Sequence, residues 1–292
     1  MLIPEIIGGL GNQMFQYAAA RALSLARGDP LRLDISGFSE YELHQGFELR
    51  RVFSCPLQIA TNADVRGILG WQSLSLIRRI LARPGLAGFR RQGLVVEPHF
   101  HYWTGINGVP KNSYLSGYWQ SESYFQAAEQ VIRSDFTFKP ALNLRNVELA
   151  EQIGQVNAVS LHVRRGDYAN NKKTNATHGL CSLDYYRMAI QHVAQRVDQP
   201  HFFIFSDDQS WAKEYLKIEF PCRYIDHNQG IESYNDMRLM SLCKHHIIAN
   251  SSFSWWGAWL NANQSKIVVG PKKWFASNKN TSDLLPSSWV TL

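Results

Sequence analysis

AVSLHVRRGD, residues 158–167, reads as a strand that ends on charge: Ala158–Val163 is strand-like, and Arg164-Arg165-Gly166-Asp167 follows without a spacer. The same arrangement recurs downstream. Phe202–Phe205 runs into Ser206-Asp207-Asp208, and His246–Ala249 runs into Asn250-Ser251-Ser252-Phe253-Ser254. Further strand-like runs lie at Arg223–Ile225 and Ile267–Val269, and helical patterns at about 182–197, 209–218, 231–243 and 253–262 separate most of them. Strands alternating with helices of this length predict βαβ units and right-handed crossovers into a mostly parallel sheet.

Working back toward the start, a strand is expected at about 2–7, then the turn Gly8-Gly9-Leu10-Gly11. A helix over roughly 12–27 follows, closed by Gly28 as a C-cap, and then a second strand at Leu31–Asp34. This strand–turn–helix–strand unit is again the building block of a parallel sheet. Residues 35–150 are less regular, with a helical stretch around 121–132. Two α/β units in one chain imply two facing Rossmann-like domains with a cleft between them. The boundary is expected in 140–157, near Pro140, giving domains at 1–150 and 151–292. The last segment, with Trp274, Phe275 and Trp289, is a candidate to pack back across the cleft.

Composition agrees with a folded chain. The 292 residues are 45% hydrophobic and 18% charged, which allows a sizeable core and excludes wholesale disorder. No run approaches the ~18 apolar residues of a membrane span, and residues 1–7 lack the basic and cleavage regions of a signal peptide. The four cysteines, Cys55, Cys181, Cys222 and Cys243, form neither a C-x-x-C pair nor a disulfide framework, which suits a reducing cytoplasm. A net charge of +6 suits a nucleic acid, an anionic membrane face or a phosphorylated small molecule. Much of it lies in 78–91, where Arg78, Arg79, Arg83, Arg90 and Arg91 interleave with apolar residues. A solvated helix face followed by a loop is the first reading and peripheral contact with anionic lipid the second. Nucleic acid comes last, since no binding motif accompanies the charge.

Ligands of open α/β sheets bind beyond the carboxyl ends of the strands, where the three polar clusters stand. Adjacent arginines offer planar, bidentate donors to phosphate oxygens. Ser251, Ser252 and Ser254, with the first amides of the following helix, make an anion site. A carboxylate such as Asp207 can accept two hydrogen bonds from guanine. Taken singly, each cluster has a plainer explanation: a surface Arg pair, a helix N-cap at Ser206-Asp207-Asp208, a capping loop at 250–254. All three at strand ends point to a nucleotide-sugar donor.

His162-Val163-Arg164-Arg165-Gly166-Asp167 resembles the H-x-R-R-x-D motif of α-1,2-, α-1,6- and protein O-fucosyltransferases. Phe203–Asp208 resembles their second motif. Asp236–Ser241, Cys243–His246 and Ile248–Leu260 resemble the α-1,2 family in particular, glycosyltransferase family 11, as does Gly8-Gly9-Leu10-Gly11-Asn12-Gln13-Met14-Phe15-Gln16. The resemblance implies a GT-B-like α/β fold with an acceptor-side domain at 1–150 and a donor-binding domain at 151–292, GDP-fucose as donor and no obligatory metal or cofactor. It implies that Arg164 and above all Arg165 contact the β-phosphate, and that His162 and Asp207 hold the guanine. Ser252, Phe253 and Ser254 would hold the diphosphate, with Asp208 and Ser251 in the same pocket and Asp167 orienting the arginines. In the opening turn the third glycine of a dinucleotide fingerprint is replaced by Met14, which argues against NAD or FAD. Asn12 is a candidate for contact with fucose or the leaving oxygen, and equally for an N-cap.

The expected chemistry is inverting transfer of fucose to the 2-hydroxyl of a terminal β-galactoside, in O-antigen or capsule synthesis in a bacterial cytoplasm. Peripheral contact with the inner membrane would suit a lipid-linked acceptor. Another linkage, or a non-catalytic sugar-nucleotide-binding protein, is the alternative; no G-x-S-x-G elbow supports a hydrolase. Asp34, His44 and Glu48 are equal candidates for a general base. Trp255 and Trp259, one helical turn apart, read as core rather than a sugar platform, whereas Tyr102, Trp103, Tyr118 and Trp119 are candidates for acceptor stacking.

Overall fold

The structure, a computed structural model, describes residues 1–40, 45–166 and 179–292. It divides into two compact units, Met1–Pro140 with Asn280–Pro286, and Ala141–Lys279 with Ser287–Leu292.

In the amino-terminal unit β1 (Leu2–Pro4) leads into α1 (Leu10–Arg27). Short helices α2 (Leu49–Val52), α3 (Asn62–Leu69) and α4 (Ser75–Leu81) follow, then β2 (Leu94–Val96), β3 (Ser113–Ser116) and α5 (Glu129–Asp135). The three strands form a parallel sheet in the order β1-β3-β2. Helix α1 is alanine-rich and buried along most of its length, and Gly28 closes it in the left-handed conformation, its amide bonded to the Ser24 carbonyl. It begins at Leu10 with Gly9 as N-cap, so Asn12 is two residues inside the helix and is not the cap. The expected strand 31–34 is reduced to isolated bridges, Leu2 with Leu31 and Glu5 with Asp34. The Asp34 carboxylate accepts the Ser36 amide at 2.9 Å, a local turn that ends the extended run. The helical stretch near 121–132 is two 3-10 turns followed by α5.

Arg78 is not part of a solvated face. It is buried, its guanidinium 3.3 Å from Asp34 and stacked 4.9 Å over the Tyr114 ring. The rest of the basic stretch is α4 and a 3-10 turn at Pro84–Phe89.

The carboxyl-terminal unit opens with α6 (Leu144–Gln155) and β4 (Asn157–Val163). It continues with α7 (Leu183–Ala194), β5 (Pro200–Ser206), α8 (Gln209–Tyr215), β6 (Cys222–Ile225) and α9 (Tyr234–Leu242). The closing elements are β7 (His245–Ile247), α10 (Ser252–Leu260), β8 (Val268–Gly270) and β9 (Val290–Thr291). Leu149 and Ile153 of α6 pack with Phe203, Phe205 and Leu239, which is why the division falls at Pro140 rather than at 150. Six parallel strands run in the order β6-β5-β4-β7-β8-β9. Numbered within the unit this is 3-2-1-4-5-6, the order of dinucleotide-binding α/β domains.

Successive residues of a strand face opposite sides of a sheet. Val159, Leu161 and Val163 pack with Tyr185, Tyr186 and Ala189 of α7, while Ala158 packs with Leu149 and Leu239. Trp255, Trp256 and Trp259 are buried, with Trp255 and Trp259 stacked 6.3 Å apart and Trp289 against Trp255. They are core, as their spacing predicts.

Candidate functional site

The sheet of the carboxyl-terminal unit reverses its direction of growth at β4: β5 and β6 lie to one side, β7 and β8 to the other. Crevices for ligands open beyond the carboxyl ends of strands at such a switch point. Here β4 ends on Arg164-Arg165, its neighbour β5 on Asp207-Asp208, and β7 leads through Asn250-Ser251 into α10. The three polar clusters therefore end adjacent strands. Asp167 and His44 lie outside the described residues.

Asp207 organises the arginine pair. The Arg165 backbone amide donates to Asp207 Oδ1 at 2.7 Å, and Arg164 Nε stands 3.2 Å from Oδ2. Asp208 caps α8 by accepting the Trp211 amide at 3.0 Å, and its other oxygen is 3.8 Å from Arg165 Nε. The Arg165 guanidinium lies 4.3 Å from the centre of the Trp211 ring. Each arginine side chain is about a quarter exposed, so both reach solvent with their stems fixed. A Cβ on Gly166 would stand 3.1 Å from Asp207 Oδ2, which explains a glycine where the chain crosses this carboxylate.

On the other side of β4, the Ser251 hydroxyl caps α10 by accepting the Phe253 amide at 3.3 Å. Ser251 and Ser254 are buried, and Ser252 and Phe253 are half-buried at the helix start. Helix α10 carries no charge in its first turn to offset the positive end of its dipole. Asn250 holds loops together: its amide donates to the carbonyls of Gly179 and Trp274, and the Cys181 thiol donates to its Oδ1. The assembly thus offers two guanidinium groups and one helix terminus, a set suited to a diphosphate.

His162 is buried behind this rim with its ring 6.0 Å from Phe253. Burial pushes the imidazole down to about 4; Asp207 opposes the shift and Arg164 adds to it. The ring is neutral at neutral pH. Its folded-state value lies below the ordinary 6.5, so protons bind the unfolded chain first and stability falls as pH drops from 6.5 toward 4. His162→Gln should therefore show a smaller fall in melting temperature between pH 7 and pH 5 than the parent. An unchanged difference would contradict a buried neutral His162.

Asn12 lies in the amino-terminal unit. Its Oδ1 accepts from Gln120 Nε2 at 2.7 Å. Gly8, at φ +78°, turns tightly here: a Cβ on it would stand 2.8 Å from Asn12 Nδ2. Of the base candidates, Asp34 is buried and held by Arg78, Tyr114 and the Ser36 amide, and Glu48 is buried and paired with Arg51 at 2.8 Å. Burial raises the Glu48 carboxyl above the usual range, with Arg51 opposing. Trp119 is buried against Tyr124, which leaves it unfit for stacking on an acceptor; Tyr118 is exposed, and Tyr102 and Trp103 are half-buried.

Trp211 was not among the expected site residues. Its signal is its place three residues after the Asp208 cap, where the first turn of α8 turns it back toward the strand ends. Gln13 is a second omission: buried, it donates to the Gly8 and Gly46 carbonyls and accepts the Glu48 amide, tying the glycine turn to the following loop.

The sequence profile of glycosyl transferase family 11 matches residues 99–292. The chain is 37% identical to an α-1,2-colitosyltransferase of Escherichia coli, covering all of this chain and 99% of that one. It is 36% identical to the O-antigen biosynthesis glycosyltransferase WbnK of E. coli, covering 98% of each. In fold it matches the crystal structure of the NodZ α-1,6-fucosyltransferase soaked with GDP-fucose, with a TM-score of 0.55 at 15% identity over 89% of this chain and 92% of that one. The α/β, GT-B-like class expected from the sequence is thus the observed one. Among the described residues no helix is long and apolar enough to cross a membrane. From its motifs, its strand-end geometry and its full-length relatives, the chain belongs to glycosyl transferase family 11.

Proposed function

We propose that the protein transfers L-fucose from GDP-β-L-fucose to the 2-hydroxyl of a terminal β-galactoside on a lipid-linked O-antigen or capsule precursor in a bacterial cytoplasm. The observation that carries this reading is the Arg164–Arg165 pair fixed by Asp207 at the switch point, beside the start of α10. The acceptor oxygen attacks the anomeric carbon from the face opposite the diphosphate, the bond to the β-phosphate oxygen breaks, and the product is an α-linkage. GDP and one proton leave. Charge accumulates on the β-phosphate as that bond breaks, and Arg165, Arg164 and the amides of Ser252–Ser254 are assigned its stabilisation.

Asp207 is assigned to positioning, because each of its oxygens already meets an arginine. The amino-terminal unit is assigned the acceptor, with Asn12 the candidate for the transferred sugar. No resident metal is required in this scheme, since the arginines supply the positive charge. Turnover in excess EDTA is expected to equal that without it; a loss restored by a divalent cation would overturn the metal-free scheme.

Identity to the colitosyltransferase gives a second donor to test, because colitose lacks the 3-hydroxyl of fucose. Purified protein should be mixed with GDP-fucose or GDP-colitose and a panel of β-galactosides, with GDP release measured and the new linkage located by NMR. Release from GDP-fucose with an α-1,2 product supports the proposal. Faster release from GDP-colitose transfers the same mechanism to the other sugar, and no release from either means a binding protein.

A further inference from the structure

We infer that residues 71–91 of the amino-terminal unit form a docking face for an anionic lipid bilayer. No Asp or Glu occurs between Asp64 and Glu97, whereas six arginines do: 66, 78, 79, 83, 90 and 91. The structure sorts them. Arg78 is held by Asp34, and Arg90 donates to the Leu81, Ala82 and Arg83 carbonyls. Arg66, Arg79, Arg83 and Arg91 are exposed.

The exposed arginines share their surface with side chains that water does not favour. On α4, Ile77 and Leu81 pack inward with Ile3 and Leu94. Leu76, Arg79 and Ile80 follow the i, i+3, i+4 spacing of the outward face, and Arg83 is exposed just beyond the helix, at the start of the 3-10 turn that follows. Leu76 is 67% exposed, and the flanking turns present Trp71 at 64% and Phe89 at 70%. Five of the fourteen large hydrophobic side chains exposed among the described residues, Trp71, Leu74, Leu76, Ile80 and Phe89, fall within this one stretch, and such a cluster, unlike scattered exposed residues, marks an interaction surface. The headgroup region of an anionic bilayer fits it: aromatic and aliphatic side chains enter the interface while guanidinium groups bind lipid phosphates. The absence of any carboxylate in this stretch makes the complementarity one-sided. A second copy of the chain, carrying the same positive charge, would be repelled from this face.

The test is co-sedimentation of the full chain with phosphatidylcholine vesicles, with and without phosphatidylglycerol, at about 0.1 M salt. Binding is expected only with the anionic lipid and should weaken as salt rises. Arg79→Glu with Arg83→Glu should lower the partition coefficient by about 30-fold or more, at roughly fivefold per basic residue near an anionic surface. Trp71→Ser with Phe89→Ser should lower binding at unchanged charge. All four positions are exposed, and an unchanged melting temperature confirms folding. Absence of binding to anionic vesicles, or binding that neither pair of substitutions weakens, overturns the inference. Self-association in ultracentrifugation that the Trp71/Phe89 pair abolishes, without vesicle binding, would reassign the face to a second copy.

Discussion

Arg165→Ala should lower turnover by about 10²–10³-fold, the range for removing one preorganised donor from a developing oxyanion. Arg165 is held in three ways: its amide by Asp207, its Nε near Asp208, and its guanidinium plane on Trp211. None of these holds the core, and the side chain is partly exposed, so the melting temperature should change little. Arg165→Lys keeps the charge but loses the planar fork that stacks on Trp211 and bridges two oxygens, and should recover only part of the rate. Trp211→Ala leaves the charge and frees the guanidinium to wander, so a smaller loss is expected there. Rates should be measured by GDP release at saturating donor, which separates transition-state stabilisation from ground-state binding. If folded Arg165→Ala turned over within a few-fold of the parent, the donor pocket would have to lie elsewhere.

This site was legible because its parts lie next to strands that announce themselves. Ala158–Val163 and Phe202–Phe205 are buried on both faces, so they read as strands without periodicity, and the polar residue after each must stand at a sheet end. What could not be read was the order of those strands. That β4 lies between β5 and β7 follows from pairings across 40 to 90 residues, which no local pattern encodes. Trp211 escaped for a related reason: a tryptophan early in a helix is ordinarily core, and only the fold sets it over Arg165. In the amino-terminal unit the strands are three or four residues long and depend on side-chain clamps such as Gln13 and Gln16, whose amides bond loop backbone up to a hundred residues away. Such clamps have no signature in composition or spacing. The same holds for Asn280–Pro286, which joins the amino-terminal unit through Asp283, bonded to the Tyr102 amide and the Ser121 hydroxyl.

Asp34→Ala should cost about 3–5 kcal/mol of stability, the penalty for removing one partner of a buried ion pair. Asp34 takes the Ser36 amide on one oxygen and, on the other, the Tyr114 hydroxyl at 2.7 Å and the Arg78 guanidinium at 3.3 Å. Alanine would leave a buried cation against the Tyr114 ring with only the Ser73 carbonyl among the described residues to take its hydrogen bonds. Burial already lifts the Tyr114 phenol well above its ordinary range, so that group supplies no compensating negative charge. Arg78→Met in the same chain removes the stranded charge, and the double variant should regain more than half of the loss, because an apolar replacement of a buried pair is often neutral. The measurement is chemical denaturation followed by fluorescence, read on the transition that involves the amino-terminal unit. The double variant also separates two roles for Asp34. A general base loses turnover in GDP release even in the Asp34→Ala/Arg78→Met double variant, where stability has been regained. A structural anion loses stability in proportion to the charge removed, and α4 and its arginine-bearing face lose their anchor with it.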